Sequence, residues 1–420
     1  MADITIHPSE LKGDLTPPPS LEVGWRLVWG ACLGHGGAIE NCPSHPDINA
    51  IIALANQIGA DAKFSKNTAD IFGAAMPQPI TSLSCNNNSR ASRIAIPIAF
   101  LSEQIVSIKE FNIPSSPSAW LDIASSQLGV RITKTSEEIS VSGSPFTGAL
   151  ELKDRPGVYW APGFMMAAPF SARTSVFSMD DFVSIHPAVK NTLEAFRIFE
   201  TEYVYDKSEG TLTIPSGQTY PERYVDVPAD WRTGSYFLGA LALAGKGNIF
   251  LSSFSNQPEK EFWEIFRANK MLASSEDGLS MKINSSRPLP LPPVMDLRPY
   301  PSLLPLMILL ATQSHRSTKI GPLYPISSFT RKRAHNTINE LNKLGANIKI
   351  KNSYIHIPYA KLKGGTVDSC NDSRVCMALA LAGLISSSPV KIENAEAVDK
   401  SHSNFWNDLK KLGAKIRISK

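Results

Sequence analysis

A chain of 420 residues in which 43% of side chains are hydrophobic is long enough for two domains, each with its own core. Its 42 Lys and Arg against 38 Asp and Glu leave a net charge of only +4, and the basic residues form no stripe, so nucleic acid is excluded as a partner. The five cysteines, Cys32, Cys42, Cys85, Cys370 and Cys376, lack C-x-x-C or Cys/His zinc spacing, which leaves reduced thiols and no metal site.

The opening MADITIHPSE has no basic start leading into an apolar run, so no secretory signal is expected and the protein reads as cytoplasmic. Next comes a buried helix, RLVWGACLGHG, and then an amphipathic helix that ends at glycine and runs into a strand, LANQIGADAKF. The pair recurs as SRIAIPIAFL with IASSQLGVRITKT. TLEAFRIFETEYVYD and FWEIFRANKMLASS keep the amphipathic helix without the glycine, and GSYFLGALALAG supplies another buried helix. LLPLMILLAT pairs with INELNKLGANIKI, and SRVCMALALAGL with WNDLKKLGAKIRI; the apolar stretch SLLPLMILLA is too short to cross a bilayer. The glycines Gly59 and Gly129 lie 70 residues apart, and Gly345 and Gly413 lie 68 apart, so six units fill the chain.

An α/β (α+β) fold follows, in which each unit runs strand, buried helix, strand, outer helix and two strands. An all-round apolar helix must be covered on every side, so the strands and outer helices wrap the buried ones. Six units divide into two domains of three, 17–228 and 1–16 plus 229–420, with the break near Pro228 in DVPADWRT.

The N-termini of buried helices combine unpaired N–H groups with positive dipole and suit phosphate or carboxylate. Arg26, Arg90, Arg93, Arg232 and Arg374 cluster at these starts. A desolvated guanidinium needs a partner, either an internal Asp47, Asp230 or Asp372 or a shared anionic ligand.

DSRVCMALALAGLISSSPVKIENAEAVDKSHSNFWNDLKKLGAKI, DWRTGSYFLGALALAGKGNIFL and SLLPLMILLATQSHRSTKIGPL together resemble the enolpyruvyl transferase family, of the 5-enolpyruvylshikimate-3-phosphate synthase type. The resemblance spans nearly the whole chain. It implies a two-domain inside-out α/β fold, each domain three βαβαββ units around buried parallel helices, with a substrate cleft between the domains. It also implies attack of an acceptor hydroxyl on C2 of phosphoenolpyruvate and loss of phosphate, with no metal and no cofactor.

Matched position by position, the family's cations persist at Arg26, Arg333, Arg374 and Lys400, and Asn87 to Arg93 keep both ends of its N-x-G-T-x-x-R loop. These matches make Arg26, Asn87, Arg90, Arg333, Arg374 and Lys400 the expected substrate-binding residues. Other positions depart. Leu21 replaces the lysine that grips both substrates, Ser116-Pro117-Ser118 lacks the arginine of R-P-I, and Gly157-Val158-Tyr159 replaces the S-S-Q that holds the acceptor phosphate. Ser302 stands at the catalytic aspartate, and Phe329 and Thr330 at the lysine and proton-transferring glutamate of K-E-S-D-R. No catalytic residue is assigned; His35, His186, His315 and His402 are conceivable proton carriers.

Losing one general acid or base costs about 10²- to 10⁴-fold, so ordinary shikimate-pathway catalysis is disfavoured. The leading expectation is a monomeric specialised enzyme that binds a small anionic carboxylate or phosphate ligand and transfers an enolpyruvyl group to a non-standard acceptor. The alternatives are a lyase or isomerase acting on a shikimate-like cyclic acid without phosphoenolpyruvate, and a non-catalytic pseudoenzyme or binding protein.

Overall fold

The computed structural model describes residues 3–76, 81–143, 149–250, 257–274, 280–284, 287–296, 298–324 and 326–419. Two compact units result, one holding the described residues from Pro19 to Pro228, the other the segment up to Pro18 with most of the chain from Ala229 onward. Each unit contains three four-stranded sheets of one recurring design, which gives the two-domain α/β architecture of three βαβαββ repeats per unit.

The sheet around Gly37–Glu40 illustrates that design. Arg223–Asp226 lies parallel to Gly37–Glu40, Thr68–Phe72 pairs with it antiparallel, and Asp61–Ser65 completes a hairpin with Thr68–Phe72. The two hairpin residues, Lys66 and Asn67, have φ of 48° and 64°, the positive values that a two-residue turn needs to match strand twist. In the other unit the N-terminal strand Asp3–His7 sits between Val390–Glu393 and Lys415–Ser419, antiparallel to both, so the two chain ends share a sheet.

Six inner helices start the repeats' cores: Leu21–Leu33, Ser89–Ala99 and Asp154–Ala167 in one unit, Trp231–Ala244, Leu304–Ala311 and Ser373–Ile385 in the other. All eight residues of Leu304–Ala311 are buried, and Ser373–Ile385 is buried from Ser373 through Leu384. Each Leu or Ile so placed contributes roughly 1.5–3 kcal/mol over leaving it exposed. Outer helices instead bury one stripe; Ser328–Lys343 hides Thr330, Ala334, Thr337, Ile338 and Leu341, the spacing of a helix face.

Gly129, closing the outer helix Ser115–Leu128, has φ of 66° and its N–H returns to the Ser125 carbonyl, a left-handed cap that a β-carbon would strain. Gly163 serves another purpose. A β-carbon there would stand 2.3 Å from the Arg93 carbonyl oxygen, so its absence lets Asp154–Ala167 press against Ser89–Ala99. That contact brings Tyr159 to the start of the Ser89–Ala99 helix, where its hydroxyl lies 3.2 Å from Ser89 Oγ.

Candidate functional site

In both units the polar chemistry gathers where inner helices begin, and the caps explain why. Ser20 Oγ accepts from Val23 N at the head of Leu21–Leu33, placing Glu22 in the first turn and Arg26 one turn on. Asn88 Oδ1 accepts from Arg90 N and Ala91 N, both at 2.9 Å, so the cap itself aims Arg90. Asp230 and Asp372 cap the other unit's helices in the same way, each accepting from the N–H of an arginine two residues on, Arg232 and Arg374.

In the Pro19–Pro228 unit three guanidiniums surround one buried indole: Arg26, Arg90 and Arg93 lie 4.2, 5.3 and 5.5 Å from the Trp25 ring centre. Each such contact is worth about 0.5–2 kcal/mol when desolvated, far less than burying a charge alone costs. Two acids offset the difference. Glu22 accepts from Arg26 Nη1 at 3.0 Å, from both terminal nitrogens of Arg90 at 3.1 and 3.2 Å, and from Trp25 Nε1 at 3.3 Å. Asp47 takes Arg90 Nε at 2.8 Å and Asn88 Nδ2 at 2.8 Å.

Arg26, expected to hold ligand, spends its donors inside the protein: Nε on Thr192 Oγ1, Nη1 on Glu22, and Nη2 on the Ala188 carbonyl. Burial lowers its pKa to about 9 despite Glu22, so it stays charged at neutral pH. Burial also works against the charge of Arg90, but Glu22 and Asp47 outweigh it and hold that pKa above the ordinary value. Arg93 differs. Its side chain is part-exposed, with a buried Nε that has no hydrogen-bond partner among the described residues, and its guanidinium lies 5.5 Å from the Trp25 ring and 5.7 Å from that of Tyr159. Burial and then Arg90 lower its pKa to about 10.

Asn87, also expected at the site, is exposed with φ of 52°, and the capping role falls to Asn88. His186 is close enough to Glu22, Arg26 and Arg93 to feel their charges; its Nδ1 accepts from Ala188 N, and burial lowers its pKa to about 4. The neutral ring therefore carries its proton on Nε2.

The second cluster lies in the other unit, where Asp230 pairs with Arg232. Asp372 caps the Ser373–Ile385 helix and takes Arg333 Nε at 2.8 Å, while Arg333 covers the exposed Phe329 ring at 4.7 Å. Arg374 is only 7% exposed and has no carboxylate partner among the described residues; its contacts there include Met377 Sδ at 3.6 Å and the Tyr236 ring at 5.6 Å. Burial, with Arg232 and Arg333 adding to it, lowers its pKa. Lys400 belongs to the 3-10 turn Ala395–Lys400, with its side chain outside the described residues.

Glu259 escaped the sequence reading. It is buried, and Ser302 Oγ, at the position matched to the family's aspartate, donates to its Oε1 at 3.1 Å. Burial raises this carboxyl's pKa, only partly opposed by Arg232. Of the nominated histidines, His402 is held by Asp408 at 2.7 Å, and His35 and His315 are exposed. Thr330 is buried within the Ser328–Lys343 helix and bonded to its cap Ser327, so it offers no replacement acid.

Two cavities of about 640 and 690 Å³ lie at the C-terminal ends of inner helices in the unit that holds Arg374, sharing Arg287 and Ile385. Helix C-termini present negative dipole, so the N-terminal clusters are the better anion sites. No group of three metal-ligating side chains and no helix fit to cross a membrane occurs among the described residues.

Repeats of this design with basic, capped helix starts define an enolpyruvyl-transferase fold. A family model for EPSP synthase (3-phosphoshikimate 1-carboxyvinyltransferase) matches residues 6–409, and the chain belongs to that family. Relatives named 3-phosphoshikimate 1-carboxyvinyltransferase include one from Clostridium novyi, 28% identical over 99% of this chain and 98% of its own. One from Methanothrix thermoacetophila is 26% identical over 99% of both chains. Among solved structures, an EPSP synthase from Acinetobacter baumannii superposes with a TM-score of 0.81 at 16% identity over the full length of both. The enolpyruvyl transferase NikO from Streptomyces tendae gives 0.74 at 15% identity, covering 100% of this chain and 99% of its own.

Proposed function

We propose that this protein transfers the carboxyvinyl group of phosphoenolpyruvate to the hydroxyl of an acceptor other than 3-phosphoshikimate. The observation that carries the donor half is Arg374, a buried guanidinium at a helix start with no carboxylate in hydrogen-bond reach among the described residues. A buried unpaired cation is costly and calls for an anion. Arg333 beside it, matched to another family cation, supplies a second contact once Asp372 shares its donors. Family membership supports the reaction class, and Glu259 beside Ser302 provides a buried acid in a position that lost its aspartate.

The departures at Leu21, Phe329 and Thr330 favour a changed acceptor over the reaction of the named relatives. They also sustain a second reading, a binding protein without turnover. Phosphate release separates the two. Incubation with phosphoenolpyruvate and a panel of cyclic hydroxy acids should liberate phosphate with one of them, and Arg374→Ala should abolish both this release and the thermal stabilisation by phosphoenolpyruvate. If phosphoenolpyruvate neither stabilises the protein nor loses phosphate, carboxyvinyl transfer is wrong.

A further inference from the structure

We infer that the larger of the two cavities in the unit holding Arg374 binds a nucleoside phosphate whose base carries an amino group, an aminopurine nucleotide. Ile385 on its wall ends the Ser373–Ile385 helix that Arg374 begins, so about 16 Å of helix, at 1.5 Å per residue, separate the two places. The inference does not depend on the carboxyvinyl-transfer reading.

The chain builds this cavity around Gln313. That residue follows the inner helix Leu304–Ala311 and is 4% exposed; its Nε2 donates to Thr312 Oγ1 at 3.1 Å and to the Ala360 carbonyl at 2.9 Å, which fixes the orientation of the amide. Its Oε1 accepts nothing among the described residues, and Gln313 lines a cavity of about 690 Å³. Backbone bonds pin a segment on either side: Leu289 N donates to the Gln313 carbonyl, and Ala360 N to that of Thr312. Arg287 therefore stands on one wall, with Tyr359 and Lys361, which flank the buried Ala360, on the other.

Arg287 and Lys361 bond to no carboxylate or carbonyl among the described residues, and no Asp or Glu lines this cavity. Basic side chains beside helix ends commonly bond the last carbonyls. These two do not, so their charge is open to a ligand. His315 is already engaged, its two ring nitrogens lying against the Leu289 carbonyl and Arg316 Nε. The end of an inner helix carries negative dipole, which favours a hydrogen-bond donor at Gln313 and leaves room for an anion only over the two cations. With no carboxylate there to take an ammonium, the donor is a neutral amino group. Leu362 and Ile385 supply apolar wall and Tyr359, 60% exposed, a ring face, which together suit a flat base. A phosphate then reaches Arg287, whose planar fork can take two of its oxygens. The volume lies within the roughly 300–1,000 Å³ of small-molecule sites.

Titration calorimetry on the full chain with AMP, inosine 5′-monophosphate, adenosine and inorganic phosphate tests this. AMP should bind; inosine monophosphate, which has a carbonyl in place of the amino group, and adenosine, which lacks the phosphate, should each bind about 10-fold more weakly. Arg287→Gln and Lys361→Gln should each weaken AMP about 10-fold and leave the melting temperature and circular dichroism of the unliganded protein unchanged, because both side chains are exposed. Arg374→Ala should leave AMP binding intact. No binding of AMP overturns the inference, and so does its loss in Arg374→Ala, which would put the nucleotide at the helix starts. Equal affinity for inorganic phosphate or inosine monophosphate would reduce the site to an anion patch and overturn the choice of ligand. Undiminished binding by both Arg287→Gln and Lys361→Gln would remove the nucleotide from this cavity.

Discussion

The two units build their helix starts from the same parts and balance them differently. Around Trp25 the acids Glu22 and Asp47 pair with Arg26 and Arg90, while Arg374 in the other unit meets, among the described residues, a thioether and an aromatic face. Similar caps, Asn88 or Asp372 with an arginine two residues on, thus lead to an Arg90 paired with two carboxylates in one unit and an Arg374 with no carboxylate hydrogen bond among the described residues in the other. A helix start therefore does not define a ligand site; the excess of charge left after internal pairing does.

Glu22→Ala should break the comparison most severely. It removes the carboxylate that Arg26 and Arg90 share, leaving Arg90 on Asp47 alone, and breaking a buried pair from one side costs about 3–5 kcal/mol, roughly 10 °C for a unit of this size. A loss under ~1 kcal/mol by denaturant titration would show that the arginines are not held by Glu22.

Acidification comes next. His186 has a folded pKa of about 4 against the ordinary imidazole value of 6.5, so the unfolded chain takes up its proton first. Its contribution is fully present above pH 6.5 and is lost as pH falls toward 4, on the order of 3 kcal/mol at most. His186→Asn should flatten the stability profile across that window, and an unchanged slope would remove His186 from the cluster.

Asp372→Ala should cost about 1–2 kcal/mol, the loss of a cap together with one partly buried pair. A fall as large as that of Glu22→Ala would make the two clusters equivalent. Smallest of all, Arg374→Met should be neutral or stabilising by up to ~1 kcal/mol in the unliganded protein, because a well-packed apolar chain replaces an unpaired charge. A destabilised Arg374→Met would reveal a structural role for that cation.

Much of the fold can be read from local pattern. Gly59, Gly129, Gly345 and Gly413 all have positive φ, as a glycine after a helix requires, and the apolar runs around Leu304 and Ser373 are the buried helices that their composition demands. The site is legible only in part. Arginines at helix starts mark both clusters, but Asn87 and Asn88 are interchangeable by pattern. The left-handed backbone of Asn86 and Asn87 turns the first outward and makes the second the cap. Glu259 carried no signal, because its partner Ser302 lies 43 residues away in a neighbouring repeat.

Sequence alone determined the repeat, the inner and outer helices and the positions of the cations, since periodicity, caps and glycines act within a few residues of chain. Tertiary structure alone decided which cations are free. Glu22 reaches Arg90 across 68 residues, and no local rule could foretell that the residue beside Leu21 would bind one arginine pair while Arg93 Nε is left without a hydrogen bond among the described residues. Charge pairing depends on distances through space, and packing the repeats against one another sets those distances.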